Sequence, residues 1–328
     1  MALRTRLTDR FKIEHPILSA PMGFIAGGRL AAATTQAGGL GLIGGGYGDG
    51  DWLTREFGAA GNARVGCGFI TWSLAQKPEL LDRVLARAPA ALMLSFGTLA
   101  PFAETIKRAG VPLICQVQTL AHAREAVAAG ADVVVAQGGE AGGHSGHRAT
   151  LTLTPELADY LAAAAPGTLL VAAGGIADGR GLAAALMLGA DGVLMGSRLM
   201  ASAEALTPPG FLDAIVAADG DGTVKTAVID VVRKYDWPPG FAGRALRTRF
   251  VTEWQGREDV LADPATQVAE NERYWRAFHA GDVEETGVFV SEAAGLIRDA
   301  PPAARVIERI VMDAERLLGN AGGFVVSR

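Results

Sequence analysis

His144 is the residue on which a reading of this chain turns, because the run leading into it has no other group that exchanges a proton near neutral pH. That run is Gln137, Gly138, Gly139, Glu140, Ala141, Gly142 and Gly143, a stretch so bare that main chain can approach a flat or charged ligand closely. Three valines, Val133 to Val135, come just before it. With no polar face, they suit a strand of a parallel sheet covered on both sides. On such a loop, expected to be flexible, three roles are open to His144. As a general base it would take a carbon-bound proton from a ligand held beside it. As a metal ligand it would join Glu140 and His147, although a glycine-rich loop lacks the helical scaffold that fixes such ligands. A surface histidine with no role is the bland alternative. The base, or a group that orients an anion, is the expectation adopted, with no metal.

Other glycine-bearing tips suggest binding. AAGGIADGRG contains Ala173, Gly174 and Gly175, and MGSR contains Gly196 and Ser197; each follows an apolar run, the seventh and eighth of the chain. Tips at those places in a barrel commonly hold a phosphate on backbone N–H groups and a helix N-terminus. Tight turns alone are the competing reading. Ala20, Pro21, Met22 and Gly23 end the first apolar run, and Gln116 and Gln137 end the fifth and sixth. Carbonyls, N–H groups and uncharged amides would then line a common mouth, which suits a flat heteroaromatic ring such as flavin. A core methionine and core glutamines are the alternative for Met22 and Gln116. There is no GxxxxGK[ST], and GGGYGDG at 44–50 does not match GxGxxG, so neither a nucleotide triphosphate nor a dinucleotide fold is indicated.

The elements that must position these groups follow a repeated module: an apolar strand, a polar or glycine-rich tip, an Ala/Leu-rich helix and a closing glycine. Strands are expected at 15–22, 40–45, 64–71, 91–96, 112–117, 132–137, 169–176 and 192–197. The clearest helix is at 119–130, with Thr119 as N-cap and Gly130 as the stop. Eight such units match an α/β fold of the TIM (β/α)8 type better than an open doubly wound sheet. In a barrel the tips at 20–23, 44–50, 70–72, 116–118, 137–147, 174–179 and 196–198 surround one site.

After Arg198 the rhythm breaks. Tyr235, Trp237, Trp254, Tyr274, Trp275 and Phe278 lie among charges and prolines, pointing to a mostly helical second domain beside the mouth, able to form a small core of its own. The expected division is a barrel at 1–206, the inserted domain at 207–290 and a helical segment at 291–328. Val306, Ile307, Ile310, Val311, Ala314 and Leu317 draw one apolar stripe that should pack back on the rest.

Composition narrows the partners. Of 328 residues 49% are hydrophobic and 20% charged, enough for a large core, and the 43 glycines cluster at loop tips. A net charge of -5 gives no basic footprint for nucleic acid and no anchor for a membrane. The charged start MALRTRLTDRF lacks a secretion-signal core, and no apolar run approaches the roughly 18 residues of a span. A cytoplasmic protein with small-molecule partners is expected, and assembly as a homo-oligomer stays open. Cys67 and Cys115 sit in apolar runs outside any CxxC and read as buried reduced thiols.

PILSAPMG, GFITW, AQGGEAGGHSG, AAGGIADGRGLAAAL and LGADGVLMGSR together resemble the FMN-dependent nitronate monooxygenases, formerly called 2-nitropropane dioxygenases. The resemblance covers nearly the whole chain, including WPPGFAGRALRTRF and GLIRDAPPAARVIERI. It implies a TIM barrel with a helical second domain and one FMN. It also implies that Pro21, Met22 and Gly23 meet the ring, that Gln116 and Gln137 hydrogen-bond it, and that Gly142, Gly143, Gly174, Gly175, Gly196 and Ser197 hold ring edge and phosphate. His144 matches the family's catalytic histidine. Gln116 stands where some relatives carry lysine, and Gly68 where some carry asparagine. The implied reaction takes a nitronate, from a simple nitroalkane or a propionate-like nitro compound, gives one electron to the flavin, and combines with O2 to yield a carbonyl compound and nitrite. The anion needs no deprotonation, so His144 should matter chiefly for the neutral nitroalkane or for orienting charge. Proteins sharing EAGGH include NAD(P)H:quinone reductases, the runner-up, and a flavin enoyl-thioester reductase. From another class, a flavin-free sugar-phosphate lyase or isomerase stays open.

Overall fold

The structure, a computed structural model, describes residues 3–324. All eight apolar runs contain strands, and three more form elsewhere. In chain order they are β1 Ile17–Ser19, β2 Leu42–Gly44, β3 Gly66–Ile70, β4 Leu92–Ser95, β5 Leu113–Val117, β6 Val133–Gln137, β7 Gly143–Ser145, β8 Leu169–Ala173, β9 Gly192–Met195, β10 Thr223–Thr226 and β11 Ala242–Leu246. The parallel strands lie in the order β1-β9-β8-β6-β5-β4-β3-β2. Closure comes at Leu40, whose N–H donates to Ile17 O and whose carbonyl accepts from Ser19 N–H, both at 3.0 Å. The sheet is therefore a (β/α)8 barrel. The first strand is shorter than the run 15–22 predicted: after Ser19 the chain turns through Pro21, which has no N–H for a ladder, and residues 20–23 become rim.

Parity along each strand decides what faces inward. Leu18, Met93, Ile114, Val133, Val135, Leu169, Val171 and Leu194 share the barrel interior with Leu7 and Phe11, which come from the helix Arg6–Phe11 that plugs the bottom. Their neighbours Cys67, Leu92, Leu94, Cys115, Val134 and Leu170 face the surrounding helices. Both faces are apolar, as buried parallel strands require. Both thiols are free and buried; burial raises the Cys67 pKa and pushes Cys115 up to about 12, so neither is a nucleophile. Helices pack closely where side chains are missing. A Cβ on Gly28 would sit 1.9 Å from Glu56 O, so only glycine lets Gly28–Gln36 cross Gly50–Ala60 there.

The barrel lacks its eighth helix until the end of the chain. Ala303–Gly319 buries Val306, Ile307, Ile310, Val311 and Ala314, the expected stripe, against the helices Gly179–Met187 and Gly28–Gln36 that follow β8 and β1. The segment between β9 and that helix is thus inserted. It is mostly helical, with Pro209–Ala217, Val228–Arg233, Arg249–Trp254, Glu258–Leu261 and Pro264–Ala280, and a core that includes Ile229, Phe250, Trp254 and Tyr274. It also holds β10 and β11, and β11 pairs antiparallel with β7. No helix among the described residues is long and apolar enough to cross a membrane.

Asp299 ties the returning helix to the rim. Its carboxylate accepts from buried Arg198 at 3.0 Å and also pairs with Arg309. Arg309 and then Arg198 hold the Asp299 carboxyl below its ordinary range, against burial. A depressed folded-state pKa adds stability above the unfolded value that is lost as pH falls through the folded one. Asp299→Ala is expected to cost about 1 kcal/mol at neutral pH, since the carboxylate is half exposed. Urea denaturation should show the difference shrinking in acid.

Candidate functional site

The inward parity that fills the barrel with Val, Leu and Ile reaches polar or bare positions at the C-terminal ends of the strands. Ala20, Gly68, Gln116, Gln137, Ala173 and Gly196 continue the inward files there, and all of them line one cavity. Pro21, Met22 and Gly23 form its β1 side, Gly174 and Gly175 its β8 side, and Ser197 its β9 side; Gly142, Gly143 and His144 close over it from β7. Every residue the sequence nominated for the site thus borders the same cavity, though the structure assigns none of them a ligand.

Gly142 and Gly174 are glycines for backbone reasons. A Cβ on Gly142 would lie 2.6 Å from Ser291 N, and Gly174 has φ +102° with Gly138 O 2.9 Å from where its Cβ would be. Gly196 differs. Its φ is −103°, and a Cβ would meet nothing closer than Ala20 at 3.5 Å, so its empty side belongs to the cavity. The N–H groups of Gly175 and Ser197 donate to no acceptor among the described residues, leaving two donors at the rim. The Ser197 hydroxyl accepts from Ser291 N–H at 2.9 Å, pinning the end of the insertion to β9. Gly68 has no room for the asparagine of some relatives: its Cβ would overlap Pro21 at 2.3 Å.

His144 lies on no flexible loop. It is the middle residue of β7, paired with Gly243 of β11, and only 7% exposed. The bare run looked mobile because the strand it meets is a hundred residues away in sequence. Gln137 anchors it as well, donating from Nε2 to His144 O at 3.0 Å while its Oε1 accepts from Gln116 Nε2 at 3.1 Å and Gln118 Nε2 at 2.9 Å. Most of the Gln137 amide is spent inside the protein, so Gln116, whose Oε1 accepts nothing among the described residues, is the freer of the two. Glu140 is also committed. Its carboxylate accepts from Thr150 N–H and Oγ1 at about 3 Å, at the start of the helix Thr150–Ala164.

The imidazole has a partner that sequence reading missed. His144 Nε2 lies 2.8 Å from Asp230 Oδ2, both side chains buried. With Nε2–H donating to the carboxylate, Nδ1 carries the lone pair, and it makes no hydrogen bond among the described residues. Trp237 stacks on the ring at 3.3 Å between centroids and 5° between planes. Phe96 and Phe289 present edges to it at 6.4 and 5.4 Å. Tyr47 stacks on Tyr235 at 3.8 Å, and burial raises its phenol pKa well above the ordinary value. The aromatics of the insertion divide their work: Trp237 walls the cavity, while Tyr274 and Trp254 fill the insertion's own core. Asp230 and Arg233 left one signal, two opposite charges three residues apart inside the apolar run AVIDVVRKY.

Asp230→Asn is expected to lower kcat on a substrate that must be deprotonated by about 10²-fold with KM little changed. An amide N–H facing Nε2 favours the tautomer with its proton on Nδ1. Steady-state kinetics that move KM instead of kcat would contradict this positioning role.

A cavity at the C-terminal rim of a (β/α)8 barrel, with a buried imidazole–carboxylate pair above a glycine-lined cradle, belongs with barrel enzymes. The model of the nitronate monooxygenase family matches residues 4–64 and 75–313. The chain is 33% identical to the Mycobacterium tuberculosis (3aS,4S,5R,7aS)-5-hydroxy-7a-methyl-1-oxo-octahydro-1H-indene-4-carboxyl-CoA dehydrogenase, covering 99% of this chain and 100% of that one. It is 35% identical to the nitronate monooxygenase npaC of Metarhizium robertsii, over 92% and 91% of the two chains. Among solved structures, FabK from Thermotoga maritima superposes with a TM-score of 0.86 at 32% identity, covering 98% of this chain and 100% of that one. The chain belongs to the nitronate monooxygenase family and is a flavin-dependent oxidoreductase.

Proposed function

We propose that this enzyme carries FMN and oxidises alkyl nitronates with O2 to a carbonyl compound and nitrite. The observation that carries the reading is the His144 imidazole, held by Asp230 through Nε2 with Nδ1 unpartnered, on the same cavity as the rim cradle. The residues fit a flavin phosphate and ring: Gly196 leaves open space, Gly175 and Ser197 offer N–H donors, and Gln116 keeps amide groups to spare. Gly175, Gly196 and Ser197 would hold the phosphate, while Ala20, Pro21, Met22, Gly23 and Gln116 would meet the ring. Gln137 would act mainly by fixing His144. When bound, the flavin supplies a one-electron acceptor that O2 regenerates.

The protein's own part is positioning and proton transfer. His144 Nδ1 takes the α-proton of a neutral nitroalkane, and Asp230 stabilises the imidazolium that results. A pre-formed nitronate needs no such step and meets His144 only as an orienting dipole. Trp237, Phe96 and Phe289 wall the imidazole with apolar surface and limit water around it. Turnover of a nitronate by the purified protein, with nitrite released, tests the reading; flavin-bearing protein that releases none contradicts it.

A second reading is favoured by the Mycobacterium tuberculosis relative named as a carboxyl-CoA dehydrogenase: oxidoreduction of a thioester, with the same Nδ1 exchanging a proton at the carbon next to the carbonyl. Anaerobic mixing of the holoenzyme with an acyl-CoA thioester separates the two, since bleaching of the flavin by the thioester is expected only for this second reading.

A further inference from the structure

Arg233 ends the helix Val228–Arg233, one turn beyond Asp230, and lines the same cavity while only 8% exposed. Its guanidinium carbon lies 5.0 Å from the ring centroids of Tyr274 and Trp275, 5.4 Å from Phe278 and 5.7 Å from Phe289. No carboxylate oxygen comes within 4.0 Å of it among the described residues, and its Nε is buried without an acceptor. The nearest carboxylate along the helix, Asp230, gives Oδ2 to His144. The Tyr274 hydroxyl donates to Gly287 O at 3.4 Å, and its phenol pKa stays raised by burial although the charge of Arg233 and a side-chain hydrogen bond to it oppose the shift, so the one polar group Arg233 meets there is neutral.

A guanidinium taken out of water without an anion is costly, and the faces of aromatic rings return only part of that cost. The remaining attraction points into the cavity, where a ligand could supply the missing charge. We infer that Arg233 is the anion-receiving residue of this cavity, taking a planar two-oxygen monoanion, carboxylate or nitronate, in its guanidinium fork while Phe278 and Phe289, the two of these rings that line the cavity, hold the ligand's apolar part. Such a fork matches two coplanar oxygens in a way an ammonium does not. Because Asp230 and Arg233 sit one turn apart on one helix, the same turn would fix the imidazole and the charge of its ligand.

The inference uses the cavity of the proposed function but not its turnover. Butyrate and butyramide, alike in shape and different in charge, are titrated by calorimetry into the purified holoenzyme, its Arg233→Gln variant and its Arg233→Lys variant. Wild type should bind butyrate about ten-fold or more tighter than butyramide. The glutamine variant should lose that preference, the lysine variant should keep part of it, and butyramide affinity should hold throughout. Wild type without preference, a glutamine variant that retains it, or butyramide binding that falls in parallel would overturn the role. The source of the anion follows from KM in the glutamine variant. A rise for a plain alkyl nitronate assigns the fork to the reacting group; a rise only for a nitronate bearing a carboxylate assigns it to that carboxylate. A protein that binds butyrate through Arg233 yet oxidises no nitronate removes the proposed function and leaves this inference standing.

Discussion

Replacing His144 by Asn is expected to lower kcat/KM on a neutral nitroalkane by about 10²–10⁴-fold, the range of a lost general base. The same variant should oxidise the pre-formed nitronate within roughly ten-fold of wild type, because the anion arrives without the proton His144 would remove. Asparagine ends short of the place of Nε2 and gives up the bond to Asp230, whereas glutamine, whose amide nitrogen lies as far beyond Cγ as Nε2, can keep it, so His144→Gln is the companion variant that preserves the pocket. Parallel initial-rate measurements on the two forms of one substrate check this. Full activity on the neutral form would end the base role, and equal losses on both would move His144 from proton transfer to general positioning.

The second large effect is expected at Gly196. Leucine there keeps a negative φ, −103°, at a modest backbone cost for ψ −83°, and the nearest atom to a new Cβ is 3.5 Å away. Its side chain would instead fill the space between the rim donors and the Ala20–Met22 side of the cavity. Gly196→Leu should therefore fold with near-native thermal stability but bind FMN about three orders of magnitude more weakly, roughly 4 kcal/mol. The protein should purify colourless, and titration with FMN checks the affinity. A yellow variant with wild-type affinity would remove Gly196 from the cradle. The same swap at Gly142 or Gly174 would be harder to interpret, because a side chain there collides with Ser291 or Gly138 backbone and the fold itself would suffer.

How much of this the sequence carried depended on distance along the chain. The eight strands were legible because each is a short apolar run ended by glycine or a polar tip, and inward parity followed from period-two geometry. Counting forward by twos from Val133 and Val135 places Gln137 on the inward file, and Ile114 does the same for Gln116. The last helix was legible as well, because Val306, Ile307, Ile310, Val311 and Ala314 mark one face at helical spacing. What stayed hidden were pairings between distant segments. No local pattern reveals that Gly143–Ser145 is a strand, since its partner Ala242–Leu246 lies beyond the barrel and β7 holds two small residues and one histidine. Asp230 carries no local mark of its partner, because His144 lies 86 positions earlier in the chain. Trp237 was visible as an aromatic, but neither composition nor spacing separates a residue that walls a cavity from one, such as Tyr274, that fills a core.

For the proposed reaction a flavin must lie in the rim cavity and take an electron from a nitronate beside His144. Anaerobic mixing of the purified protein with an alkyl nitronate, followed by the flavin absorbance, tests this most directly. The predicted result is a flavin spectrum before mixing, loss of the oxidised band afterwards, and recovery of the band with release of nitrite when O2 is admitted. A colourless protein, or a flavin that ignores the nitronate and bleaches only with NADH, would contradict it.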